Sequence, residues 1–108
     1  MSNTPEFHRI LLGPAADIPV NTGKEYVHEN RIIAVFHVEE GFYALDGMCP
    51  HAGGPLAKGH IRQDVVTCPW HGWQFNVKTG HHCLNDRIKA TTYQVEVDQE
   101  QIYLLLQD

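Results

Sequence analysis

No apolar run in this 108-residue sequence is long enough to cross a membrane. Ile32 to Phe36 and Tyr103 to Leu106 are typical of the longest, whereas a spanning helix needs about 20 residues. The N-terminus, MSNTPEFHR, lacks an apolar signal core, so neither export nor organelle import is indicated. Basic residues are few: 8 Lys and Arg stand against 13 Asp and Glu, for a net charge of −5. That balance argues against nucleic acid, whose phosphates demand a basic face, and makes a basic protein surface the better partner. Cysteine is scarce and odd in number, three in all. A disulfide framework is therefore disfavoured, and a reducing cytoplasm suits the chain. Internal repeats, linkers and convincing helical periodicity are also missing. At this length the chain makes one domain with a modest core.

What the sequence does contain is short strands with turn chemistry between them. Phe7 to Leu12 reads as a strand stopped at Gly13-Pro14, and Ala15 to Pro19 as a connection. Lys24 to His28 and Arg31 to Val38 read as a hairpin turning at Glu29-Asn30, followed by a turn at Glu39 to Gly41 and a strand from Phe42 to Leu45. These pieces predict an antiparallel meander. From Asp46 to Gly59 the composition is that of a loop. Val65 to Cys68 and Trp73 to Asn76 are short strands, the second leading into a turn at Lys78-Thr79-Gly80. Alternation then returns: Tyr93, Val95 and Val97 share one face, and after a turn at Asp98 to Glu100 so do Ile102, Leu104 and Leu106. The closing hairpin is expected to pair with the early strands. The prediction is all-β: an antiparallel sandwich or barrel base formed by residues 5–45 and 83–108, with a small subdomain of about 46–82 inserted in it.

Chemistry concentrates between Met48 and Phe75. Cys49-Pro50-His51 and Cys68-Pro69-Trp70-His71 each supply one thiolate and one imidazole from a short loop crowded with Pro and Gly. Two soft and two borderline ligands in paired loops suit a binuclear iron–sulfur centre. Zinc is the alternative, but zinc modules separate paired ligands by two to four residues, and C-x-H is tighter.

With C-x-H, a spacer of sixteen residues and C-x-x-H, the sequence resembles the Rieske iron–sulfur proteins. Gly53, Pro55, Leu56, Gly59, Gly72, Phe75 and Thr79-Gly80 also fall where that family has such residues. The resemblance implies one [2Fe-2S] cluster, with Cys49 and Cys68 on the inner iron and His51 and His71 on the outer one. Replacing two thiolates by neutral imidazoles makes the cluster less negative, and so easier to reduce. The second imidazole nitrogen allows proton uptake on reduction. Two departures bear on the potential. High-potential members carry an extra disulfide where this chain has Gly54 and Trp70, and Ser and Tyr hydroxyls where it has Trp73 and Phe75. Without those hydrogen-bond donors the potential is expected at the low end of the Rieske range, about −150 mV.

The resemblance further implies a soluble one-electron carrier, a Rieske ferredoxin passing electrons from a flavoprotein reductase to a terminal oxygenase. It is a component of an oxygenase system and not the oxygenase, since no 2-His-1-carboxylate site with a substrate-sized domain accompanies it. The partners would dock transiently near His51 and His71, helped by acidic residues such as Glu39, Glu40, Asp46, Asp64 or Asp86. An apolar collar of Met48, Pro50, Leu56 and Pro69 is a second possibility for docking. Other readings are the small Rieske subunit of an NADH-dependent nitrite reductase, or a redox- or iron-sensing binding module. Trp70, Trp73 and Phe75 are expected to cover the cluster, Cys83 to be a small buried hydrophobe, and His81 and His82 to be solvated. His8, His28 and His37 are read as chemically inert residues of the base, and His60 has no assigned role.

Overall fold

The computed structural model describes residues 7–50, 53–70, 72–85 and 87–107. Nine strands and two short 3-10 turns are formed among them. The strands are β1 (Phe7–Pro14), β2 (Thr22–His28), β3 (Arg31–Val38), β4 (Gly41–Asp46), β5 (His60–Arg62), β6 (Val65–Thr67), β7 (Gln74–Asn76), β8 (Thr92–Asp98) and β9 (Gln101–Gln107). Six of them make one antiparallel sheet in the order β1-β9-β8-β4-β3-β2, and β5-β6-β7 make a second, three-stranded sheet.

The β2–β3–β4 meander is present, with the hairpin turn at Glu29 and Asn30. Both turn residues take left-handed φ angles, 47° and 67°, the geometry that matches the twist of a two-residue hairpin. The first strand departs from expectation. It runs on through Gly13-Pro14 by way of an irregularity at Leu12, while its pairing with β9 is the one expected between the closing hairpin and the early strands. On its outer face, Arg9 binds Glu96 at 2.6 Å and Asp98 at 3.0 Å while stacking 4.1 Å above the Tyr103 ring. One guanidinium thereby pins β1 across β9 to β8.

Two apolar cores lie on opposite faces of β3 and β4. Ile33, Val35 and Ala44 face Ile18, Ile102 and Leu104 inside the curled six-stranded sheet. Ala34, Phe36, Val38 and Leu45 face the other way, against Leu56, Ile61, Val66, Cys49, Cys68, Phe75, Val77 and Ala90. This explains the unbroken apolar run of β3: a strand buried on both faces has no polar side to alternate with. Ile102 and Leu104 point inward as the alternation predicts, and Leu106 packs on the same core. Val97 instead ends up exposed where β8 approaches its turn. The strand β5 was not legible, because three residues with one buried side chain, Ile61, carry no measurable period.

The Tyr26 ring packs on the inner core, yet its hydroxyl is buried with no hydrogen-bond partner. Burial pushes its pKa above the ordinary value of 10.0, with Asp17 adding to this and Lys24 opposing it. A raised pKa means that the neutral phenol contributes stability in full below pH 10, and that this is lost as pH climbs through the folded value. Replacing Tyr26 by Phe removes an unpaired buried hydroxyl. Y26F should therefore unfold at equal or higher denaturant concentration at pH 7, by up to about 1 kcal/mol. Its advantage should widen above pH 10, as chemical denaturation at the two pH values would show.

Candidate metal centre

Each predicted ligand loop is shaped by backbone hydrogen bonds. In the first, the Cys49 amide donates to the Gly54 carbonyl and the Gly53 amide returns to the Cys49 carbonyl, both at 2.8 Å. Met48 and Pro55 bridge its base. In the second, the Cys68 amide donates to the Trp73 carbonyl at 2.7 Å, closing the end of the β6–β7 hairpin. Gly53 and Gly72 turn the two loops with φ of 74° and 72°, values that are costly for residues bearing a Cβ.

The loops meet at Gly54. A Cβ there would lie 2.8 Å from the Cys68 sulfur and 3.0 Å from the Cβ and Cγ of Trp70. The two places where high-potential members carry a disulfide are therefore in contact here, filled by a glycine and an indole. Cys49 and Cys68 are brought together in the floor of the site, 3% and 1% exposed, as free thiols. Burial raises the Cys68 pKa, and the adjacent Cys49 thiol adds to the rise, against a Trp70 backbone hydrogen bond that lowers it. In the absence of a cation Cys68 therefore resists ionising; a bound metal would reverse that balance and favour the thiolate. Paired soft donors in a dry pocket, with a loop that tolerates no added side chain, fit an iron–sulfur cluster. His51 and His71 lie outside the described residues. Among the described residues no three His, Cys, Asp or Glu side chains converge.

The surroundings correct several expectations. Leu56 is fully buried, because the 3-10 turn Leu56–Lys58 points it into the outer core, so it belongs to no collar. Met48, Pro50 and Pro69 are exposed, and they are joined by Trp70, half of whose surface is open. Phe75 is buried in the same apolar core as Cys49 and Cys68, and Trp73 packs against that core. Cys83 is exposed and His82 half-buried, the reverse of the expectation. The reason is register: Phe75 pairs with His82, so alternation turns His82 inward and Cys83 outward. The His82 ring stands edge-on to Trp73 at 4.7 Å and to Phe75 at 5.3 Å, and its Nδ1 accepts the Leu84 amide at 3.0 Å. No pattern in HHC could have signalled that. His81 and His60 are exposed. His37 is structural, its Nδ1–H donating to the Ile18 carbonyl (2.7 Å) and its ring stacking on Phe42. Of the acidic residues, Glu40 and Asp64 pair with Lys78, Asp46 accepts the Met48 amide, and Glu39 is exposed; Asp86 lies outside the described residues.

Comparison with known proteins decides the family. The family model for the Rieske [2Fe-2S] domain matches residues 8–105. The chain belongs to the Rieske [2Fe-2S] domain family. Its cofactor is accordingly a Rieske-type [2Fe-2S] cluster. The domain is 33% identical, over 90% of this chain and 92% of the relative, to the 3-phenylpropionate/cinnamic acid dioxygenase ferredoxin subunit of Shigella boydii serotype 4. It superimposes with a TM-score of 0.81 at 28% identity on a chain from the complex of reduced oxygenase and oxidised ferredoxin in carbazole 1,9a-dioxygenase, covering 89% of this chain and 91% of that one. A chain described as a nitrite reductase NADPH small subunit shares the fold at the same TM-score, with 22% identity over 92% of this chain and 99% of that one. The all-β architecture expected from the sequence is the Rieske fold. No helix among the described residues is long and apolar enough to cross a membrane.

Gly54 offers the sharpest test of the site. In G54A the new methyl must displace the Cys68 sulfur or the Trp70 side chain, an overpacking that costs about 1–3 kcal/mol. Purified G54A should keep its β-sheet circular dichroism but contain roughly half the parent's iron per chain or less. A full complement of iron would show that the two loops do not meet as described.

Proposed function

We propose that this Rieske domain is a ferredoxin: a one-electron carrier that accepts electrons from a flavoprotein reductase and delivers them to a terminal oxygenase. The observation that carries this reading is the likeness, along nearly the whole of both chains, to a dioxygenase ferredoxin subunit. In this reading Cys49, Cys68, His51 and His71 hold the cluster. The bound cluster supplies a one-electron couple, and this chain's residues hold it and set its surroundings. The two thiols anchor the dry end, where Cys49 and Cys68 are buried. His51 and His71 complete the proposed ligand set, and Met48, Pro50, Pro69 and Trp70 form an exposed rim for transient docking. The cluster-binding subdomain extends over about 46–82 within a base of 5–45 and 83–108. A cytoplasmic location and a non-catalytic role complete the proposal.

The small subunit of a nitrite reductase is the second reading, favoured by the shared fold alone. Such a subunit would copurify with a large partner, whereas a ferredoxin purifies alone and red-brown.

Reconstitution tests the carrier role. Mixed with a ferredoxin-dependent flavoprotein reductase and a ring-hydroxylating oxygenase, the cluster-loaded protein should support substrate-dependent NADH oxidation. The rate should fall as salt rises, because docking of an acidic chain is partly electrostatic. C49S, H51A, C68S and H71A should each lower it by more than the roughly 10–100-fold that changes next to metal ligands cost. No electron transfer to any oxygenase, with full cluster present, would contradict the proposal. A rate indifferent to salt would contradict the docking mode.

A further inference from the structure

The proposed ligands come from two separately built sheets. Cys49 lies three residues beyond the end of β4 of the six-stranded sheet, while Cys68 lies in the β6–β7 hairpin of the three-stranded one. Apolar packing, which is non-directional, presses the sheets together, and backbone hydrogen bonds from Asn76 to His81, Ala90 to Gly80 and Asp46 to Thr91 join them on the side of the 80–91 segment. The one ionic contact between them, among the described residues, is made by Lys78. Its ammonium pairs with Glu40, in the turn between β3 and β4, and with Asp64 Oδ2 at 3.4 Å, in the turn between β5 and β6. It also lies 5.7 Å from the centre of the Tyr43 ring.

Lys78 is held in place for this contact. Asn76 Oδ1 accepts the Lys78 amide at 2.8 Å and the Thr79 amide at 3.2 Å, which fixes the turn after β7. The adjacent Val77 amide donates to the Asp64 carbonyl at 2.8 Å. The Lys78 side chain is 27% exposed and that of Asp64 35%, so their pairing is partly shielded from solvent; Glu40, at 62%, is not. Glu39, Glu40 and Asp64 line one cleft of about 420 Å³. Without the ammonium, that cleft would hold three carboxylates and no counter-charge in contact with them.

Both turns lie at the ends of their strands remote from the ligand loops. At about 3.3 Å per residue, the four residues from Asp64 to Cys68 form a lever of about 13 Å. A tilt of about 5° at the Lys78 end therefore moves the Cys68 sulfur by about 1 Å. We propose that Lys78 is a positioning residue for the cluster, an ionic latch that sets the second ligand loop against the first. The inference rests on Cys49 and Cys68 being cluster ligands.

The test uses the cluster-loaded full chain and the variants K78M, K78R and K78M/E40Q/D64N. Two quantities are read: the rate at which a chelator bleaches the visible absorbance, and hydrogen exchange of the Val77 amide. K78M should lose its cluster roughly three- to tenfold faster at low salt, with Val77 exchange accelerated in parallel. Salt should speed release from the parent toward the K78M rate and leave K78M unchanged. K78R should behave as the parent, and the triple variant, which lacks the latch altogether, should release its cluster faster than the parent and without dependence on salt; parent-like release there would assign the K78M effect to carboxylate repulsion and overturn the latch. If K78M fails to accumulate, E40Q and D64N each give the same reading, with smaller accelerations. Parent-like release and exchange in K78M, or in both single variants, would overturn the latch. So would acceleration that K78R does not reverse, which would assign the effect to packing of the lysine stem on Tyr43. A parent that binds no cluster would instead overturn the ligand assignment.

Discussion

Two thiols that repel one another once ionised must be held side by side where water scarcely reaches. That demand organises the rest of this structure. It needs a rigid floor, and the floor is the β3–β4 pair, packed on one face against the closing hairpin and on the other against the ligand loops. It needs loops that can approach without obstruction, hence Gly54 beneath the Cys68 sulfur. And it needs a cation, because burial alone raises the thiol pKa and works against ionisation.

The same arrangement accounts for the division of labour along the chain. One thiol lies in the loop that leaves the base after β4, and the small sheet supplies the other at a hairpin tip. A hairpin with strands of three residues has little cooperativity of its own. It borrows stability from the outer core through Ile61, Val66, Phe75 and Val77. Its orientation depends in addition on the few directional contacts at its far end, where Lys78 joins the two turns. Membership of the Rieske family and likeness to a dioxygenase ferredoxin subunit agree with a site built to hold a cluster near the surface and nothing larger.

Much of this was legible in the residues, and the failures share a cause. The span of β3, the hairpin at Glu29-Asn30 and the inward set of Ile102 and Leu104 follow from local turn chemistry and period, which act over a few neighbours. The pairing of Cys49 with Cys68 follows from motif spacing. What escaped depends on long-range register. Cys83 reads as buried by residue type, yet pairing of Phe75 with His82 turns it outward. Leu56 reads as loop surface, yet one 3-10 turn drives it into the core. The role of Lys78 was invisible because its two partners are 38 and 14 residues away, in unrelated turns.

The measurement closest to the central claim is paramagnetic resonance of the protein, loaded with iron and sulfide and poised at a series of potentials. The account predicts a single one-electron centre, silent when oxidised, whose reduced signal carries coupling to two imidazole nitrogens and appears at about −150 mV. A colourless protein holding one zinc per chain, or a reduced centre coupled to no nitrogen, would contradict it.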